Sequence, residues 1–178
     1  MPPSISPPAP AEPAPIVDES TDDYVFGRLA NVVLYAWRRE TTPRSLRVAQ
    51  ASLELAREAG GGKLFLAGVA EETAVVPGSE LRAEISRLIN RNAGALVASA
   101  FAFEGKGFRA AAIRSVGIGV SLLSRGAVPH RVFGTTTAGV EWAVEKMREA
   151  GAACPEPGQI VRAFAALRRA GNRTYPGF

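Results

Sequence analysis

The stretch Lys63-Leu-Phe-Leu-Ala-Gly-Val69, followed downstream by Ala95-Leu-Val-Ala-Ser-Ala-Phe-Ala-Phe103, decides the fold. The first run is short and apolar, with glycines before it and the acidic Glu71-Glu72 after it, as befits a buried strand. The second is apolar on both faces of the pleat, which suits a central strand covered by helices on both sides. Between them Pro77-Gly78-Ser79 opens a helical pattern, Leu81, Ile85, Leu88 and Ile89, that stops at Gly94. Strand, helix and strand joined by such short connections predict parallel pairing through a right-handed crossover.

Working outward, the same alternation continues. Upstream, Tyr24-Val25-Phe26, a turn at Gly27-Arg28 and the β-branched and aromatic run Asn31 to Trp37 read as a hairpin. Thr42-Pro43 then caps a helix whose apolar positions are Leu46, Ala49, Leu53 and Ala56, ending at Gly60. Downstream, Gly105-Lys106-Gly107 turns the chain into a helix from Phe108 to about Arg125 that is apolar nearly all round. Its outer face requires a cover, either the C-terminal helix or a second copy in a homodimer. Arg131-Val-Phe133 is a short strand, and Val140, Val144 and Met147 mark a helix closed by Gly151. After Pro155-Glu-Pro157, residues Ile160, Val161, Phe164 and Leu167 form an extra amphipathic helix. Seven of the thirteen prolines precede Ile16, so residues 1–22 read as a disordered Pro-rich tail, 23–150 as the α/β domain and 151–178 as the C-terminal helix and tail. The expected sheet is mixed, mostly parallel, with four to five strands.

Composition narrows the function classes. The chain has 178 residues, enough for one domain, and 47% are hydrophobic against 21% charged, so a core can form. A net charge of +4 spread along the chain is too dilute for a nucleic-acid surface. Cys154 is the only cysteine, which excludes an internal disulfide and any two-thiol motif. The start lacks the basic and apolar regions of a secretory signal, and the run from Val116 to Leu123 is too short for a transmembrane segment, so a cytoplasmic protein is expected.

A hairpin followed by alternating strands and helices, with Arg131-Val-Phe133 feeding an amphipathic helix, resembles the STAS domain of anti-anti-sigma factors, whose general plan the apolar-ligand carriers of the CRAL-TRIO type share. Glu104-Gly-Lys-Gly-Phe-Arg-Ala-Ala-Ala-Ile-Arg114 and His130-Arg-Val-Phe133 are similar to phrases of uncharacterised bacterial STAS-like proteins. The resemblance spans roughly residues 24–150. It implies a regulatory, signalling role through capture of a protein partner, with a phosphorylatable Ser after an Asp at a helix start. Here Ser79, with Glu80 and Leu81, takes that place without the preceding Asp.

Individual residues carry competing readings. Ser79 suits a plain N-cap, Ser being a preferred capping residue, better than a phosphoacceptor, whose charge the helix dipole would favour but Glu80 would repel. Lys106, Gly107 and Arg109 at a helix start could cradle an anion, yet a tight glycine turn explains them more simply. His130 stands alone, without the second His or Cys of a metal site, and reads as a polar residue rather than a general base. Cys154 has no neighbour to activate it. Glu71 and Glu72 point opposite ways on an extended segment, which suits loop solvation and not paired acid/base chemistry. Gly117 and Gly119 allow close approach of another element. No cofactor or metal is implied. The expectation is a non-catalytic interaction module binding an unidentified protein near Ser79 and the loop 71–78, the alternative being a carrier or sensor of an apolar small molecule or lipid.

Overall fold

The computed structural model describes residues 14–59, 61–105, 115 and 128–171. In chain order these form β1 (Ile16–Ser20), β2 (Tyr24–Leu29), β3 (Val32–Trp37), α1 (Pro43–Ala59), β4 (Leu64–Ala70), α2 (Ser79–Arg91), β5 (Leu96–Phe103), β6 (His130–Phe133), α3 (Thr136–Glu149) and α4 (Pro157–Arg168). The fold is α/β, with one mixed sheet in the order β1-β2-β3-β4-β5-β6. Strands β1 to β3 run antiparallel and β3 to β6 parallel. The sheet thus has six strands rather than four to five and is partly antiparallel rather than mostly parallel, its first three strands forming an antiparallel meander.

The extra strand is β1, which lies inside the segment read as a tail up to residue 22. Its sequence Ile-Val-Asp-Glu-Ser hides it, because half of a strand-like apolar pattern is replaced by acids and a hydroxyl. All three polar residues are nevertheless buried, each with a partner. Asp18 accepts a bifurcated bond from Arg28 Nε, at 2.9 and 3.0 Å to its two carboxylate oxygens. Glu19 accepts from Arg44 Nε and Nη2 at 3.1 and 3.0 Å and from the Tyr24 hydroxyl. Ser20 Oγ donates to the carbonyl of Ala170 at 3.2 Å, beyond the end of α4.

Strict period-two alternation sorts the sheet into two faces. Tyr24, Phe26, Val33, Tyr35, Leu64 and Leu66 meet Val48, Ala49 and Leu53 of α1 and Leu88 and Ile89 of α2. On the other face, Val25, Leu34, Ala36, Phe65, Ala67 and Ala100 meet Val140, Val144 and Met147 of α3 and Ile160, Phe164 and Leu167 of α4. Each parallel step moves one place along the sheet, so the right-handed crossovers β3-α1-β4 and β4-α2-β5 put α1 and α2 on one side. Chain caps enforce these starts. Thr42 and Ser45 exchange backbone-to-hydroxyl bonds ahead of Pro43, and Glu156 and Gln159 close a capping box around Pro157. The helix expected from Phe108 to about Arg125 lies outside the described residues, Ser115 excepted.

Two glycines are fixed by crowding. Gly27, read from sequence as a turn, sits inside β2 because a Cβ there would lie 2.5 Å from the Ile16 carbonyl oxygen and 2.6 Å from Leu167 Cδ1. The real turn comes at Ala30, with φ of 51°. Gly68 stands between Tyr35 on β3 and Phe101 on β5 in one cross-strand row. A Cβ on it would come within 1.9 Å of Tyr35 Cζ. The Tyr35 ring therefore lies across β4, and it is held there by neighbours on both sides. Replacing Gly68 with Ala is expected to lower stability by about 1–3 kcal/mol through overpacking, read from urea denaturation midpoints.

Candidate functional site

The site grows out of the aromatic row on the α1/α2 face. Phe26 stacks on Tyr35 with centroids 5.4 Å apart and planes 18° apart, and Tyr35 stacks on Phe101 at 6.4 Å and 21°. Trp37 stands edge-on to both Phe26 and Tyr35, at 5.4 and 5.5 Å. These rings form a raised floor. Helix α1 packs on β2, β3 and β4, and α2 packs beside α1 with Leu88 and Ile89 turned into the same core. A cavity of about 80 Å³ remains between the floor and the two helices. Leu46 and Ala49 of α1, Ile85, Leu88 and Ile89 of α2, and Val75, Val76 and Pro77 of the preceding loop complete its walls. Val75 and Val76 are exposed at 53% and 37%, so the loop presents apolar surface to solvent where it borders the cavity.

Polar groups in this wall are few. Ser99 of β5 and His130 of β6 are register partners one row from Phe101, and Ser99 Oγ lies 3.0 Å from His130 Nδ1 in a hydrogen bond whose direction follows the ring tautomer. Burial pushes the His130 pKa down to about 4, so the imidazole is neutral at physiological pH. Such a pair offers and accepts hydrogen bonds but brings no charge, and a base this weak is poorly matched to proton abstraction near pH 7. No Lys or Arg is among the described lining residues.

A second cluster lies at the carboxyl ends of β4 and β5. Arg168, the last residue of α4, holds Glu71 through Nε and Nη2 at 2.7 and 2.8 Å and Glu104 through Nη1 at 3.0 Å. Glu104 also accepts from the backbone N–H and hydroxyl of Thr136 at the start of α3, at 3.1 and 2.8 Å. Burial alone would raise the Glu104 pKa, but the Thr136 and Arg168 bonds outweigh it and the net direction is down. Glu71 is therefore more than a solvating residue, while Glu72 is exposed. Each carboxylate is committed to a structural partner, and the cluster ties α4 to the strand ends.

The residues singled out by sequence are dispersed. Gly78, not Ser79, occupies the N-cap of α2, and it makes no side-chain cap. Ser79 and Glu80 are exposed in the first turn and Leu81 is half-buried, all next to Pro77 at the cavity wall. Lys106, Gly107 and Arg109, with Gly117 and Gly119, lie outside the described residues. Cys154 is half-buried, its thiol pushed up to about 11 chiefly by burial. Among the described residues no cluster of three His, Cys, Asp or Glu could hold a metal, and no helix is long and apolar enough to cross a membrane. Sequence reasoning missed Tyr35, Phe101 and Ser99. The available signal was Gly68 inside an otherwise bulky strand, which marks close approach of another group.

The depressed His130 pKa has a stability consequence. Above pH 6.5 the ring is neutral folded and unfolded; as the pH falls from 6.5 towards 4 the unfolded chain takes up the proton first, and stability drops by up to about 3 kcal/mol. Denaturation midpoints of the wild type are expected to fall across that window more steeply than those of His130→Gln. Parallel profiles would mean that His130 is not held neutral.

Comparison with protein-family models, with curated proteins and with solved structures finds no match to this chain.

Proposed function

We propose that this domain is a non-catalytic binding module that takes up a small apolar molecule in the cavity between the aromatic floor and α2, acting as a sensor or carrier. The single observation that carries this reading is that cavity, walled mostly by aromatic and aliphatic side chains, with Thr41 and the neutral Ser99–His130 pair among the described lining residues. Small-molecule sites have this make-up, mostly apolar with a few placed polar groups. At about 80 Å³ it suits a compact molecule rather than a lipid chain. The successive parallel strands β3 to β6 and the helices on both faces support the STAS-like reading, and with it the kinship to CRAL-TRIO carriers. That kinship is an argument from fold, and the site itself carries the function.

A second reading, capture of a protein partner, has its own support in the exposed Val75 and Val76 beside exposed Ser79. The two readings part on one experiment. Protein purified gently from its own host is expected to show, by native mass spectrometry, a low-mass adduct lost on denaturation, and Ala49→Leu, which adds bulk to the α1 wall, is expected to abolish it. Protein that carries no adduct, and shows no cavity-residue shifts by NMR against a library of small aromatic compounds, would remove the cavity reading.

A further inference from the structure

A groove of about 420 Å³ lies between α1 and α2 and shares Leu46 with the cavity. Helical spacing divides the two spaces. On α1, Leu46 and Ala49 line the cavity, while Pro43, Arg47 and Gln50, four and three residues apart, line the groove with Leu46. On α2, Ile85, Leu88 and Ile89 line the cavity, and Glu84 and Arg91 line the groove. Each helix thus turns an apolar stripe to the cavity and a polar stripe to the groove, and Leu46 is their common border.

Charge in the groove is unevenly matched. Glu84 is paired with Arg87. Gln50 is committed as well, its Nε2 donating to Glu54 at 2.8 Å and its Oε1 accepting from Asn92 at 2.9 Å, which fastens the end of α2 to α1. Arg47 and Arg91 are exposed, and among the described residues neither is in an ion pair or a side-chain hydrogen bond. Two like charges lining one groove repel each other, and an anion between them relieves that repulsion. Helix α1 begins at Pro43, in the groove wall, with no acidic residue in its first turn, so the positive end of its dipole adds to the same field. Guanidinium groups present a planar fork of donors that matches a carboxylate.

We infer that the molecule held in the cavity is an acid, with a compact apolar body among the aromatic and aliphatic walls and a carboxylate that reaches past Leu46 to Arg47 and Arg91. This rests on the cavity reading above. The cavity has about half the volume of the roughly 150 Å³ engineered cavity that admits benzene, so the apolar body is a short branched chain or at most one ring. Isovalerate and phenylacetate are suitable probes, each beside its amide, isovaleramide or phenylacetamide, which keeps the shape and drops the charge. All four are titrated by NMR against wild type and the Arg47→Gln, Arg91→Gln double variant. The signals followed are the methyl groups of Leu46, Ile85 and Leu88 and, in wild type, the Nε–H groups of the two arginines.

At least one acid is expected to shift both sets of signals in wild type and to bind more tightly than its amide. In the double variant that acid is expected to weaken about three- to tenfold, the range for two solvent-facing charge contacts, with the amide unchanged. Added NaCl is expected to shrink the advantage of the acid. Both arginines are exposed and outside any described ion pair, so the double variant is expected to melt with wild type, and its weaker acid binding then reports the lost charge contacts. Equal affinity of acid and amide, or an acid affinity unmoved in the double variant, would overturn this inference while leaving the cavity reading intact. Shifts confined to the arginines, or no shift of the cavity methyls with any of the four probes, would overturn both.

Discussion

A tyrosine ring laid across a glycine on the neighbouring strand sets the geometry of one whole face of this domain. Because Gly68 has no side chain, Tyr35 can lie over β4 and bridge Phe26 on β2 to Phe101 on β5. The resulting floor is thicker than a row of aliphatic side chains would make it. The opposite face shows the contrast. There Ala67, Ala98, Ala100 and Ala102 keep the surface low, and α3 packs closely over β5. On the aromatic face α1 is anchored at the hairpin end, and α2 lies beside it with Leu88 and Ile89 in the shared core. One glycine thus links strand packing to the space in which a ligand can sit.

The anchor of α1 has an unusual foundation for an edge strand. Glu19 is fully buried on β1 and receives hydrogen bonds from Arg44 of α1 and Tyr24 of β2. Burial would raise its pKa, but those bonds prevail and the carboxyl is held below its ordinary value. The same pairing, with burial, pushes the Tyr24 pKa up to about 12, so the phenol is protonated and donating. Removing one partner of such a group is much more damaging than replacing the set with apolar residues, since it strands a buried charge. Arg38 does comparable work at the far side of the strand. It donates to the carbonyls of Thr21, Arg168 and Ala170, satisfying the open end of α4 and joining it to the β1–β2 connection. Charged side chains thereby fasten both outer helices to the antiparallel part of the sheet.

These same interactions explain what the sequence allowed one to read. Runs such as Leu64 to Ala70 and Leu96 to Phe103 announce themselves because a strand buried on both faces must be apolar throughout. The caps at Thr42-Pro43 and Pro157 are local and equally legible. β1 was not, because its burial depends on Arg28, Arg44 and the end of α4, all distant in sequence. The hairpin turn was misplaced for a related reason. Glycine usually signals a turn, but Gly27 is required by the approach of Ile16 and Leu167, while Ala30 takes the left-handed position. The cavity was equally hidden, since its described walls come from five strands, two helices and two loops, and only Gly68 within a bulky strand hinted at it.

The polar groups bordering the cavity support the proposed binding role. General base catalysis needs an imidazole whose pKa lies near the working pH, and burial has taken His130 to about 4. Its bond to Ser99 joins two neutral groups, and no carboxylate is among the described lining residues to stabilise a cationic ring. The acids nearest the ends of the parallel strands, Glu71 and Glu104, are engaged by Arg168, with Thr136 also bound to Glu104. In the proposed reading such a wall discriminates by shape and by hydrogen-bond matching.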